Sequence, residues 1–181
     1  MLRRRSLLQA GGLALAGLAV PHLGRSARII EIQMKSDLLG ADVWFDPVGV
    51  WIEPGTAIRW VVAENVHTTT AYHPKNGSHS LRIPEGAEPW DSGFLVKKGD
   101  HFQATLTVEG VYDYYCMPHE AAGMVGRIVV GRPGGPGTLA FDYFAGRPGT
   151  DSWKPVPEAA RKAFPSIERI MAERTVRRTE P

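Results

Sequence analysis

Short runs in which apolar and polar residues alternate recur between about residues 28 and 131. The clearest run spans 57–62, where Ile58, Trp60 and Val62 share one side of an extended chain. Helical periodicity is weak throughout this part. The pattern predicts strands at 29–34, 48–52, 57–62, 67–72, 101–108, 111–116 and 126–130. So many short strands in about 100 residues indicate an all-β sandwich.

Two other segments depart from the strand pattern. The stretch between Tyr72 and Phe94 is irregular and holds three prolines, and a loop of this length in a compact domain is usually functional or a cover. After Gly131 comes a Pro/Gly-rich linker, followed by a helical pattern over 157–174 that Pro165 is expected to split or restart. We therefore expect a sandwich domain over 28–131 and, over 132–181, a linker with a basic helical tail.

The first residues have the pattern of an export signal. Adjacent arginines at 3–5 precede an uncharged run over 7–20, which is short for a membrane span. The arginine pair resembles a twin-arginine signal, so residues 1–27 are predicted to be cleaved and the protein to reach the periplasm. A retained N-terminal anchor is the alternative. Candidate cleavage sites follow Ala16, lie near Ala19, or follow Ala27.

Length and charge narrow the possible functions. The chain has 181 residues, enough for one ordinary domain with appendages, and a net charge of +2. Over 28–131, however, 13 acidic residues face 8 basic ones. An acidic body does not favour nucleic-acid binding. The basic tail allows contact with an anionic membrane surface, although its apolar face is modest.

Candidate metal chemistry is concentrated in one loop. It holds the only cysteine, Cys116, followed by His119 and Met124. An unpaired cysteine in an exported protein is a dimer bridge, a small core residue or a metal ligand. Thiolate, imidazole and thioether together with a second histidine form the His2Cys set with a weak axial Met that binds copper. Zinc is the weaker alternative, because it does not favour a thioether.

The second histidine is expected to come from a neighbouring strand. His67 is the best candidate, since it follows a polar turn and begins a Thr-rich segment. His73 lies six residues further along, roughly 20 Å away in an extended strand. The remaining rivals are His79 in the irregular segment, His101 at a sandwich end and His22 in the signal region.

The segment from Tyr115 to Gly126 resembles the ligand loop of the plastocyanin and pseudoazurin type of cupredoxin. Asn65-Val66-His67 resembles that family's first-histidine region, and Trp90-Asp91-Ser92-Gly93-Phe94 its Asp-Ser-Gly strand entry. The resemblance covers about 28–131. It implies a Greek-key cupredoxin β-sandwich, here with a C-terminal extension containing a short helix. It also implies one type 1 copper ion, cycling between Cu(I) and Cu(II), with the ligands His67, Cys116, His119 and Met124.

One position departs from the family pattern. Thr68 stands where plastocyanins usually have Asn, a residue that ties the two ligand-bearing segments together. We expect Thr68 to do so through its hydroxyl and backbone N–H.

The resulting hypothesis is a periplasmic, monomeric electron carrier without catalysis of its own. Redox partner proteins are expected to dock near His119, within an apolar rim of Pro118, Ala121, Ala122 and Val125. Two alternatives stay open: a copper storage or delivery protein that also uses His73 and His79, and an electron-accepting subunit of an oxidoreductase complex.

Overall fold

A two-sheet β-sandwich forms the body of the molecule in the computed structural model, which describes residues 29–37 and 39–178. The strands are β1 Ile29–Ser36, β2 Val43–Asp46, β3 Gly49–Ile52, β4 Thr56–Val62, β5 Thr70–Ala71, β6 His101–Leu106, β7 Gly110–Tyr115, β8 Val125–Val130 and β9 Thr175–Val176. One sheet has the strand order β2-β1-β4-β6, and the other β5-β7-β8-β3-β9. The predicted all-β sandwich is therefore confirmed.

The alternating pattern places one side of each strand in the core between the sheets. Trp60 on β4 is fully buried, and its ring centroid lies 5.2 Å from that of Trp90 and 5.5 Å from that of Tyr114. Trp90 comes from the irregular segment between β5 and β6, so this segment covers part of the core. The strand that ends at the predicted metal loop, β7, is thus packed against large aromatic side chains.

The strand predictions need correction at three places. The predicted strand 67–72 is paired as a regular strand only at Thr70–Ala71, because the residues before it pair singly with loop residues, as His67 does with Leu95. The strands β2 and β9 were not predicted. Both are short: β2 pairs with the preceding strand β1, whereas β9 depends on β3, a partner distant in the chain, near Gly49 and Val50.

Within the described part of the C-terminal extension, residues 132–178, there are two α-helices, as Pro165 predicted. The first, α1, spans Glu158–Ala163 and the second, α2, spans Ile167–Glu173. Pro165 lies between them, and the Ser166 side chain caps α2 by accepting a hydrogen bond from the Arg169 N–H at 3.1 Å.

The extension packs directly on the sandwich. Helix α1 lies against the 3-10 helix Met117–Ala122 of the predicted metal loop. Helix α2 places Ile170 in a buried cluster on the outer face of the second sheet. Within the described residues, no helix is long and apolar enough to span a membrane. The predicted export signal, residues 1–27, lies outside the described residues.

Candidate metal centre

Cys116 is placed by the end of strand β7 and by the loop that follows it. The thiol is fully buried, and the loop folds back so that the Cys116 N–H donates to the Met124 carbonyl at 3.0 Å and the Met124 N–H to the His119 carbonyl at 3.1 Å. Gly123 makes the return possible with a φ of +89°, a conformation that strains residues with a Cβ. The loop therefore holds three predicted ligands within one short turn.

His67 approaches the loop from the other ligand-bearing segment. Its backbone exchanges hydrogen bonds of 3.1 and 2.9 Å with Leu95. The next residue, Thr68, donates its N–H to the Cys116 Sγ at 3.3 Å, while its Oγ1 accepts from the Met117 N–H at 2.8 Å. The two segments are thus tied by the hydroxyl and the backbone N–H of Thr68, as the sequence predicted.

Three donor atoms converge between these segments. Within the described residues, His67, Cys116 and His119 form the one group of candidate ligands, with donor atoms all within 4.8 Å of one another. The Cys116 Sγ lies 3.6 Å from His67 Nδ1 and 3.3 Å from His119 Nδ1. Met124 is fully buried at the end of the same loop, directly before strand β8. Its role as the fourth ligand stays a prediction.

Burial sets the protonation state of these groups before a metal arrives. Burial, with a contribution from His119, lowers the pKa of His67 to about 4, although the nearby Glu64 carbonyl opposes the shift. Burial also lowers the pKa of His119. The same effect raises the pKa of the Cys116 thiol to about 11, partly offset by hydrogen bonds from Thr68 and His119. The imidazoles are neutral donors, and a metal ion has to displace the thiol proton.

This donor set fits copper. Two imidazole nitrogens and one sulfur lie close enough to share one ion, and such a trigonal set with an adjacent thioether is typical of copper electron-transfer sites. His67 Nε2 is buried without a well-formed hydrogen bond, so its ring is held by packing and by the Leu95 pairing. A preformed set of nitrogen and sulfur donors of this kind favours a soft ion over the oxygen-ligated cations.

The rival histidines lie elsewhere. His73 Nδ1 accepts from the Lys75 N–H at 3.1 Å. His79 contacts Glu120, with 3.1 Å between His79 Nε2 and Glu120 Oε2. His101 is exposed at the start of β6. None of the three belongs to the convergent group, and His22 lies outside the described residues.

A β-sandwich that brings one buried cysteine and two histidines together in this way belongs to the class of the cupredoxins. Comparison of sequences gives the family: the model of the copper-binding proteins of the plastocyanin/azurin family matches residues 32–131. The chain belongs to this family. Copper is therefore its cofactor, and the resemblance found in the ligand loop is confirmed.

Individual relatives agree with this assignment. The chloroplastic plastocyanin of Tetradesmus obliquus is 32% identical over 130 residues, 67% of this chain and 79% of that protein. The pseudoazurin of Paracoccus pantotrophus is 32% identical over 124 residues, 68% of this chain and 76% of that protein. The solved structure of a pseudoazurin from Sinorhizobium superposes with a TM-score of 0.53 at 27% identity, covering 81% of this chain and 95% of that one.

The structure also brings together residues that the sequence did not single out. Glu120, next to His119, accepts a hydrogen bond from Tyr72 and faces His79. Asp113 is buried between Arg82 and Arg127. The sequence does show an ionisable residue inside a strand, Asp113, and another directly after a ligand, Glu120. It does not show their partners, because these lie 14 to 48 positions away.

Proposed function

We propose that this protein carries single electrons between partner proteins through a type 1 copper site held by His67, Cys116, His119 and Met124. Membership of the plastocyanin/azurin family supports a copper-binding electron carrier. The observation that carries the assignment of the site is the convergence of the Cys116 thiol with the His67 and His119 imidazoles, whose donor atoms lie within 4.8 Å of one another.

Bound copper supplies the one-electron oxidation and reduction. The protein holds the donors in nearly fixed positions, because the Thr68 N–H bonds the Cys116 Sγ and the Thr68 hydroxyl bonds the loop backbone. Fixed donors keep the geometry similar in both oxidation states, which favours fast electron transfer. Four protein ligands leave no position for a substrate, so we propose that the protein has no catalysis of its own.

Electrons are proposed to pass through His119, the partly exposed ligand. Of the predicted apolar rim, Pro118, Ala121 and Ala122 are exposed, as is Met117 at 45% of its surface. Val125 is buried, so its place in the rim was wrong: it packs under the C-terminal extension. A small apolar surface of this kind suits weak, brief docking of redox partners to a monomer.

A periplasmic location is part of the proposal. Its support is the arginine-rich, then apolar, start of the sequence, and a lone cysteine that metal ligation protects from oxidation. Expression of the full chain in a bacterium with and without a working twin-arginine translocase tests this route. Accumulation of the processed protein in the periplasm of both strains would contradict it.

The decisive experiment is copper loading followed by visible and paramagnetic-resonance spectroscopy. The loaded protein should bind one Cu(II) per chain and show an intense blue thiolate-to-copper band, and Cys116→Ser should abolish the band. A colourless complex with intact Cys116 would overturn the proposal. A second tightly bound copper would instead favour storage or delivery, the hypothesis that used His73 and His79.

A further inference from the structure

The Glu120 carboxylate lies outside the metal centre, yet both of its oxygens are bound. The Tyr72 hydroxyl donates to Glu120 Oε1 at 2.7 Å, and His79 Nε2 lies 3.1 Å from Glu120 Oε2. The side chains of His79 and Glu120 are only 12% and 14% exposed. A shielded carboxylate with both oxygens engaged has little freedom to turn. Glu120 is therefore fixed to a distant part of the chain.

Aromatic rings join this contact to the cysteine side of the loop. The Tyr115 ring lies 4.6 Å from the Tyr72 ring and 4.4 Å from the His79 ring. The Tyr115 hydroxyl is 3.1 Å from His79 Nδ1. We call Tyr72, His79, Tyr115 and Glu120 the Glu120 clamp. It holds the residue just before Cys116 and the residue just after His119.

The C-terminal extension keeps His79 in the clamp. The Lys154 N–H donates to the Ser78 carbonyl at 2.7 Å, and the Ser80 N–H donates to the Lys154 carbonyl at 3.1 Å. His79 Nδ1 also lies 2.7 Å from the Asn76 carbonyl. The His79 ring is thus held by the Asn76 carbonyl, and the residues on either side of His79 are held by Lys154 of the extension.

We propose that Glu120 is a positioning residue for the His119 ligand and that the C-terminal extension serves the metal centre by holding the Glu120 clamp. The proposal rests on the proposed function, in which His119 binds copper. His119 and Glu120 are joined by one peptide bond, so a rotation of that peptide moves the His119 ring relative to the Cys116 Sγ, which lies 3.3 Å from His119 Nδ1. The contacts of the Glu120 carboxylate restrict this rotation before the metal binds.

The test compares Glu120→Ala with Glu120→Gln and Tyr72→Phe in the full chain. Groups that orient metal ligands typically contribute about 10- to 100-fold to metal affinity, so we expect Glu120→Ala to weaken copper binding by about tenfold in competition with a chromophoric chelator. Its Cu(II) hyperfine splitting should also change. Glu120→Gln keeps an oxygen for the Tyr72 hydroxyl and should restore part of the affinity. Tyr72→Phe keeps the ring and should give an intermediate loss.

Glu53→Ala and Glu53→Gln are the matched controls, because Glu53 is exposed in the turn before β4 and distant in sequence from the ligand loop. They should leave affinity and spectra unchanged. Wild-type affinity and hyperfine splitting in both Glu120→Ala and Tyr72→Phe would overturn the proposal. An equal loss in the Glu53 variants would do the same, because it would reduce the effect to net charge.

A metal-free measurement separates this proposal from the proposed function. The amides of His119 and Met124 are hydrogen-bonded within the loop, so hydrogen exchange reports the loop's order without copper. Glu120→Ala should speed exchange at these two amides and leave the β4 amides unaffected. If the wild-type protein forms no blue complex, the electron-carrier function fails, whereas unchanged exchange in Glu120→Ala overturns the clamp whether or not the copper complex is blue.

Discussion

Thr68 supports the metal centre through two separate groups. Its backbone N–H donates to the Cys116 Sγ at 3.3 Å, and its hydroxyl oxygen accepts from the Met117 N–H at 2.8 Å. The same hydroxyl lies 3.1 Å from the Thr70 hydroxyl. The first bond survives any ordinary substitution, whereas the second needs a side-chain oxygen. The two effects, on the sulfur and on the loop, can therefore be separated.

Thr68→Val makes this separation. Valine keeps the branched shape and the N–H to sulfur but leaves the Met117 N–H without its acceptor, so the free energy of unfolding should fall by about 1–2 kcal/mol. The blue band should stay in place, since the bond to the Cys116 Sγ remains. Denaturant titration of the metal-free protein and the visible spectrum measure the two effects. Thr68→Ser should recover the stability, and a shifted band at unchanged stability would contradict this account.

At the scale of elements, helix α2 is seated on the backbone of strand β3. A Cβ added at Gly49 would lie only 2.8–2.9 Å from side-chain atoms of Pro165 and Ile170, so the helix approaches where a side chain is missing. Ile170 is fully buried there among Val111, Val129 and Val176. The outer face of the second sheet is thus closed by the extension, which also supplies its edge strand β9.

Ile170→Ala tests how much this contact contributes. Truncating a buried isoleucine typically costs about 2–5 kcal/mol, and the loss should appear as a lower denaturation midpoint of the whole protein. Glu168→Ala, an exposed change on the same helix, is the control and should cost little. A loss confined to α2, with an unchanged midpoint for the sandwich, would mean that the extension folds separately.

The elements that the sequence predicted are those with a local pattern. The alternation of Ile58, Trp60 and Val62 predicts β4, and Pro165 predicts the break between the helices, because both effects act within a few residues. Strand β9, of two residues, depends on pairing with β3, far away in the chain. The threonines before Ala71 have strand propensity, but they bind loop residues: the Thr69 N–H donates to the Ser92 hydroxyl and the Thr70 hydroxyl to Asp91 Oδ1.

The candidate site likewise has a part that follows from local sequence and a part that depends on distant residues. Cys116, His119 and Met124 are close in sequence, so their spacing was informative, and His67 followed from its place before a Thr-rich segment. The partners of Glu120 were not predictable, because Tyr72 and His79 lie 48 and 41 positions away. The sequence presents His79 only as a rival ligand, because its neighbours in the chain give no sign of a carboxylate 41 positions away.

At the scale of the whole molecule, a buried carboxylate joins the sandwich to the extension. Asp113 on β7 binds Arg82 and Arg127, each through an Nε–oxygen distance of 2.7 Å. Arg82 also donates to the Gly137 carbonyl at 2.9 Å, and Arg127 to the Pro165 carbonyl at 3.0 Å. Both arginines therefore connect one acid of the sandwich with backbone of the extension. Their guanidinium groups stack on Phe141 and Phe164, at 4.1 and 4.8 Å.

Asp113→Asn should therefore destabilise the molecule as a unit. The substitution keeps the shape but takes from two buried guanidinium groups the carboxylate that they share, and breaking a buried ion pair in this way costs about 3–5 kcal/mol. For a chain of this size, that corresponds to a midpoint lowered by roughly 10 °C. Calorimetry of the metal-free protein should still show one transition, because the sandwich and the extension share the same buried charges. Asp151→Asn, in the exposed part of the extension, should leave the midpoint in place. Two separate transitions in the wild-type protein, or an unchanged midpoint in Asp113→Asn, would show that the extension is attached to the sandwich without stabilising it.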